Sequence, residues 1–212
     1  MSTESDTPVL YSVLPGNPAA HLFEVTCTVQ DPDSKGQLFS LPAWIPGSYM
    51  IRDFAKNIVQ IDAWSGGRKI KLTKLDKQSW QCDPCSGPLT LRYTVYAWDL
   101  SVRSAHLDEL HGFFNGTSLF LFPHGRESAP CIVDIRPPEK NVRGEWRIAT
   151  TLPRKNTALW EFGSYQAENY EELIDHPVEM GDFTLATFEA GGIAHDIVIS
   201  GRHCADMERL RR

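Results

Sequence analysis

Long apolar runs are missing. The longest stretches in the 212-residue chain, such as Leu119-Phe120-Leu121-Phe122, fall far short of the roughly 20 residues a bilayer-spanning helix needs. No membrane partner is expected. The start, Met1 to Leu10, has neither a basic nor an apolar stretch, so no secretory signal is visible and a cytoplasmic location is the expectation. Positive charge is also in deficit. A formal net charge of −6 argues against a nucleic-acid partner gripped through its phosphates. Cysteines are few and odd in number: of the five, Cys27, Cys131 and Cys204 stand alone, which excludes the disulfide framework of a small secreted domain.

Familiar catalytic signatures are lacking as well. No two glycines are spaced Gly-x-Gly, which removes dinucleotide and kinase-type phosphate loops. There is no Gly-x-Ser-x-Gly elbow, and none of the seven histidines precedes a glutamate, so His-Glu-x-x-His is absent. His106 and His111 are five apart, a spacing that turns two rings to different faces if the segment is helical. No metal set is therefore visible, and the chain is expected to carry no cofactor of its own. Cys82-Asp83-Pro84-Cys85 has the spacing of a redox or zinc pair, but Ser86-Gly87-Pro88 follows it. That context reads as a hairpin turn rather than the helix start a reactive thiol needs.

What is present is period-two alternation. Phe23, Val25, Cys27 and Val29 alternate with Glu24, Thr26 and Thr28, and Leu89 to Ala97 repeats the arrangement, as half-buried antiparallel strands do. Weaker strands are expected at 9–14, 37–41, 57–64, 69–75, 118–122, 131–135, 146–150, 159–162, 183–188 and 194–199. Turn signals such as Pro15-Gly16-Asn17-Pro18 and Gly191-Gly192 separate them. With 42% hydrophobic and 23% charged residues, the composition is that of a folded globular domain. The fold class is all-β: a sandwich or an open, saddle-like set of antiparallel sheets. Two segments break the pattern. Ser101 to His111 reads as at most one or two helical turns, and His203 to Arg212 as the opening of an amphipathic helix.

Charge is unevenly placed. Arg68, Lys69, Lys71, Lys74 and Lys77 alternate with Ile70 and Leu72, as on an exposed face or a guarded edge strand. Between Ser164 and Gly201 there are eight acids and no lysine or arginine, either a solvated surface or a lining for a cationic ligand. The densest unusual stretch runs from Leu41 to Phe54. It sets Trp44, Tyr49 and Phe54 around a Pro-Gly turn beside Arg52, equally suited to binding a ligand and to plugging the end of a sandwich.

That stretch, LPAWIPGSYMIRDFAKNI over 41–58, resembles the N-terminal region of the glycyl aminopeptidase family of zinc metallopeptidases. LDKQSW at 75–80, YAWDLSVRSAHLDELHGFFNGTS at 96–118 and LIDHPVEMGDF at 173–183 extend the resemblance along nearly the whole chain. It implies an N-terminal β domain over 1–201, with 202–212 opening the first helix of a thermolysin-like catalytic domain, and a PDZ domain beyond. The family's zinc and its ligands then belong to the parent enzyme, and no catalytic residue is carried over to this chain. The implied partners are the chain's own catalytic domain and a peptide substrate. A looser similarity to aminopeptidase N-like enzymes, whose β domain lends residues to the pocket for the substrate amine, points to Asn115 and Thr117 in the Asn-Gly-Thr turn. Glu179 would add a negative field, and Tyr49 and Arg52 complete the candidate substrate-binding set. The rival reading is a stand-alone carbohydrate-binding β-sandwich using Trp44, Tyr49 and Trp98.

Overall fold

The computed structural model describes residues 7–45, 47–140 and 142–211. Alternation dictates the main sheet. Its seven strands lie in the order Gly163–Ala167, Cys131–Ile135, Val9–Asn17, Leu22–Val29, Leu89–Tyr96, Ile58–Ser65 and Arg68–Ile70. All neighbours are antiparallel except Val9–Asn17 and Cys131–Ile135, which run parallel, Val9 opposite Cys131. Phe23, Val25, Cys27 and Val29 are buried, as are Leu89, Leu91, Tyr93 and Val95, so one face of this sheet is core throughout. The basic cluster begins on the outermost strand, where exposed Arg68 and Lys69 flank an unpaired edge and Lys69 meets Asp62 at 2.6 Å. Lysine there discourages pairing with another chain.

Two four-stranded sheets complete the domain. One runs Arg147–Thr150, Val178–Gly181, His111–Phe114, Ala105–Leu107; the other runs Phe122–Pro123, Leu38–Ser40, Ser79–Cys82, Leu72–Lys74. Among the described residues Phe183–Ala190 and Ile193–Ser200 pair only with each other. Helix is confined to short pieces, the longest being Tyr170–Asp175, capped by the Asn169 side chain accepting from Glu172 N–H. At the chain's end Met207–Leu210 forms a four-residue helix with no buried side chain. No helix among the described residues is long and apolar enough to cross a membrane.

Three expected elements differ. Residues 101–104 form a turn, and Ala105–Leu107 is a buried strand, not a helix. Its helix-favouring composition loses to cross-strand pairing with His111–Phe114. Leu159 to Phe162 is not a strand: Trp160 takes the left-handed conformation, φ 69°, and the strand starts only at Gly163. Leu119 to Leu121 is fully buried yet outside any strand. Its backbone carbonyls are satisfied by tyrosines instead: Tyr93 donates to Leu119 O at 2.8 Å, Tyr170 to Phe120 O at 2.7 Å and Tyr11 to Leu121 O at 2.9 Å. A buried run needs such partners wherever it leaves the sheet ladder.

The cysteine pair does not sit in a hairpin turn: Cys82 closes the strand Ser79–Cys82 and Cys85 lies in a loop that crosses to Leu89–Tyr96 in another sheet. Cys27, Cys82 and Cys131 are buried, Cys85 is half-buried and Cys204 exposed, all as free thiols. Burial pushes the Cys82 and Cys131 thiols up to about 12 and raises Cys27 further, which keeps them protonated and unreactive. At pH 8 the native chain should therefore react with a thiol reagent at two positions, Cys204 first and then Cys85, and at all five after denaturation. Fast labelling of Cys82 in the native state would show it to be a reactive thiol after all.

Candidate functional site

The sheet that ends in Ala105–Leu107 has two unlike faces. Leu107, Gly112, Met180 and Ile148 align in register across it and are buried in the core. The neighbouring register line, His106, Phe113, Glu179 and Ala149, faces the other way. His111 lies two residues before Phe113 and shares that outer face. A column of rings is built on it. His21 sits 3.8 Å from Trp98 by ring centroids, Trp98 4.9 Å from His106, and His106 4.8 Å from His111. Trp98 joins through a bridge to His106, and His21 Nδ1 bonds Leu107 O at 2.6 Å.

The column ends on carboxylates. His111 Nδ1 meets Glu179 Oε1 at 3.2 Å, and His106 Nε2 meets Asp108 Oδ2 at 3.2 Å. Asp108 is fixed by its other oxygen, which accepts from the N–H groups of Leu110 and His111 at 2.7 and 2.9 Å. The Glu179 hydrogen bond, with the negative charges of Glu179 and Asp108, raises the His111 pKa against the effect of burial. Burial works to raise the Asp108 carboxyl too, but the backbone N–H groups and the His106 ring hold it below its ordinary range. His106, Asp108 and His111 thus present potential metal-ligating atoms all within 4.8 Å of one another. The helical premise that separated the two rings does not hold; on adjacent antiparallel strands the same spacing brings them together.

Next to this column lies a cleft of about 290 Å³, lined by Met50, Ile51, Arg52, Tyr96, Trp98 and Ser104 among others. Two distant segments, 41–58 and 96–118, meet there. Arg52 is half-buried; its Nη2 lies 3.5 Å from Ser48 Oγ, and its Nε is buried with no hydrogen-bond partner among the described residues. The same segments expose Met50, Ile51, Leu100 and Val102. Tyr49 is fully exposed, and Trp44 is half exposed with its indole N–H donating to Ser48 O.

The candidate set therefore divides. Arg52 lines the cleft, Glu179 stands on the ring column, and Tyr49 projects into solvent. Asn115 and Thr117 are buried, and Asn115 Oδ1 caps a short 3₁₀ turn by accepting from the Thr117 N–H at 3.1 Å and hydroxyl at 2.5 Å. Sequence reading missed His21, Trp98 as a stacking partner of histidines, and the His106–Asp108–His111 group. Only an antiparallel reading of 105–114 exposes the last. A larger groove of about 620 Å³ contains Ser40 and His124, hydrogen-bonded at 2.9 Å. Among the described residues no carboxylate bonds His124, so the pair lacks the orienting third member of a nucleophilic serine site.

The fold is all-β with helices reduced to short turns, and Arg52 and Trp98 line an exposed cleft on it. The peptidase M61 N-terminal domain matches residues 10–182, and the chain belongs to that family. Among solved structures it is similar to an aminopeptidase N family protein from Idiomarina loihiensis, with 42% identity and a TM-score of 0.92, over 95% of this chain and 34% of that one. The chain thus spans about a third of the length of that relative. No curated protein matches it.

Proposed function

We propose that this chain is the non-catalytic N-terminal domain of a zinc-dependent aminopeptidase, packing on the catalytic domain and helping to shape the cleft for the substrate's amino terminus. The observation that carries the reading is the meeting of 41–58 and 96–118 around the Arg52–Trp98 cleft, with Met50 and Ile51 left exposed on its lining. Apolar surface of that kind is what a partner domain covers. The stacking of Trp98 on two imidazoles leaves its ring less free for a sugar than a carbohydrate-binding module needs.

The zinc chemistry belongs to the parent enzyme, since His-Glu-x-x-His does not occur in these 212 residues. The family match stops at 182, and the hairpin that follows forms a sheet of its own. We therefore place the passage toward the catalytic domain at this hairpin, ahead of the boundary near 201 that the sequence suggests.

In the parent enzyme, Arg52→Ala and Glu179→Ala are expected to raise KM or lower kcat/KM on aminoacyl-arylamides by about tenfold, or ~1.4 kcal/mol, with the zinc of the catalytic domain retained. Ile51→Glu should loosen the packing of the two domains, read as faster proteolysis between them. Normal kinetics in the first two variants would reduce the domain to structural support and remove both residues from the substrate-binding set.

A further inference from the structure

We infer that His106, Asp108 and His111 form a binding site for a borderline divalent cation of the Zn²⁺ class, with Glu179 orienting His111. This replaces the sequence-based expectation of no metal, whose premise was a helix over this segment.

The argument starts from backbone pairing. Ala105–Leu107 and His111–Phe114 are adjacent antiparallel strands, so both imidazoles project from one face while Asp108 sits in the turn between them. The Asp108 carboxylate is held by two backbone N–H groups on one oxygen, which leaves the other directed at His106. That oxygen and His106 Nε2 are 3.2 Å apart. Two ligands on one tetrahedral ion, with bonds of about 2.0–2.1 Å, stand roughly 3.3 Å apart. The third residue has its ligand atom within 4.8 Å of the others, and closing the set turns the stacked His106 and His111 rings, now 27° from parallel, toward one ion.

A further observation favours an ion over a purely structural cluster. Glu179 bonds one nitrogen of His111, the carboxylate–histidine arrangement that fixes the ring and strengthens its other nitrogen as a ligand. Two neutral imidazoles and the Asp108 carboxylate suit a borderline ion better than Mg²⁺ or Ca²⁺, which prefer all-oxygen sites. Together with Glu179 they also balance its double charge. Asp108 and His111 are partly exposed, which gives the ion a way in and a position for water.

The test is isothermal titration of Zn²⁺ into the 212-residue chain after chelator treatment and dialysis. One equivalent binding at micromolar or tighter concentration is expected. Co²⁺ in its place should give the strong visible d–d band of a four-coordinate ion. Asp108→Asn retains the oxygen that accepts the two N–H bonds, so it should fold normally and bind at least about tenfold more weakly, as should His111→Gln; Glu179→Gln should lose about tenfold. Cys85→Ser should bind as the parent chain does. Circular dichroism and melting of the metal-free variants check that the fold is kept. Substoichiometric binding by the unaltered chain overturns the proposal, and so does full affinity in both Asp108→Asn and His111→Gln.

Discussion

Tyr93→Phe should lower the unfolding free energy by about 2–4 kcal/mol, the cost of leaving two buried backbone groups unpaired. The Tyr93 hydroxyl donates to Leu119 O at 2.8 Å and accepts the Leu121 N–H at 3.2 Å. Both residues are fully buried, and no water can replace the lost oxygen without opening the core. Tyr11→Phe strips a partner from one carbonyl only, that of Leu121, which keeps a weak contact at 3.9 Å with the Cys27 thiol. It should cost less, about 1–2 kcal/mol. Urea unfolding of both variants, with unchanged denaturant dependence, measures the difference. A Tyr93→Phe loss within about 0.5 kcal/mol, the range of an ordinary surface change, would mean that the 119–121 run is held by packing alone.

Asn115→Ala is expected to cost about 2–3 kcal/mol, combining a lost cap with a stranded Thr117 hydroxyl in the core. Thr117 is wholly buried, and its N–H and hydroxyl both donate to the Asn115 oxygen. Asn115→Asp retains an acceptor at that position and should recover most of the loss. The pair separates two roles for this residue. If Asn115→Ala lowers stability while kcat/KM per folded molecule of the parent enzyme is unchanged, the amide serves the scaffold. If stability is kept and kcat/KM falls, the amide serves the substrate.

Strands with strict alternation were legible in the sequence because each buries one face: Phe23 to Val29 and Leu89 to Val95 are strand and core as expected. Leu119 to Phe122 was not, because four consecutive apolar residues carry no period, and only the tyrosines Tyr11, Tyr93 and Tyr170, remote in sequence, decide its path. The resemblance carried by 41–58 and 96–118 was legible, and the family match bears it out. Their meeting across one cleft was not, since it depends on strand order. The ring column was hidden for a sharper reason. Ser101 to His111 has helix-forming composition, and on a helix His106 and His111 diverge. The partner strands at 111–114 and 178–181 reverse that local preference, bringing His111 to Glu179 across the sheet.

The parallel pairing of Val9–Asn17 with Cys131–Ile135 sets a timetable for the nascent polypeptide. The first strand can zip onto Leu22–Val29 almost as soon as both leave the ribosome. Its other edge stays open until residue 135 has been made, and Gly163–Ala167 can close the sheet only after that. At roughly 5–20 residues per second, the first strand waits for several seconds or longer with unpaired N–H and C=O groups and a half-covered apolar face. Long-range pairing of this kind folds slowly, so the domain's vulnerability to aggregation should peak during synthesis, while the second third of the chain is being made.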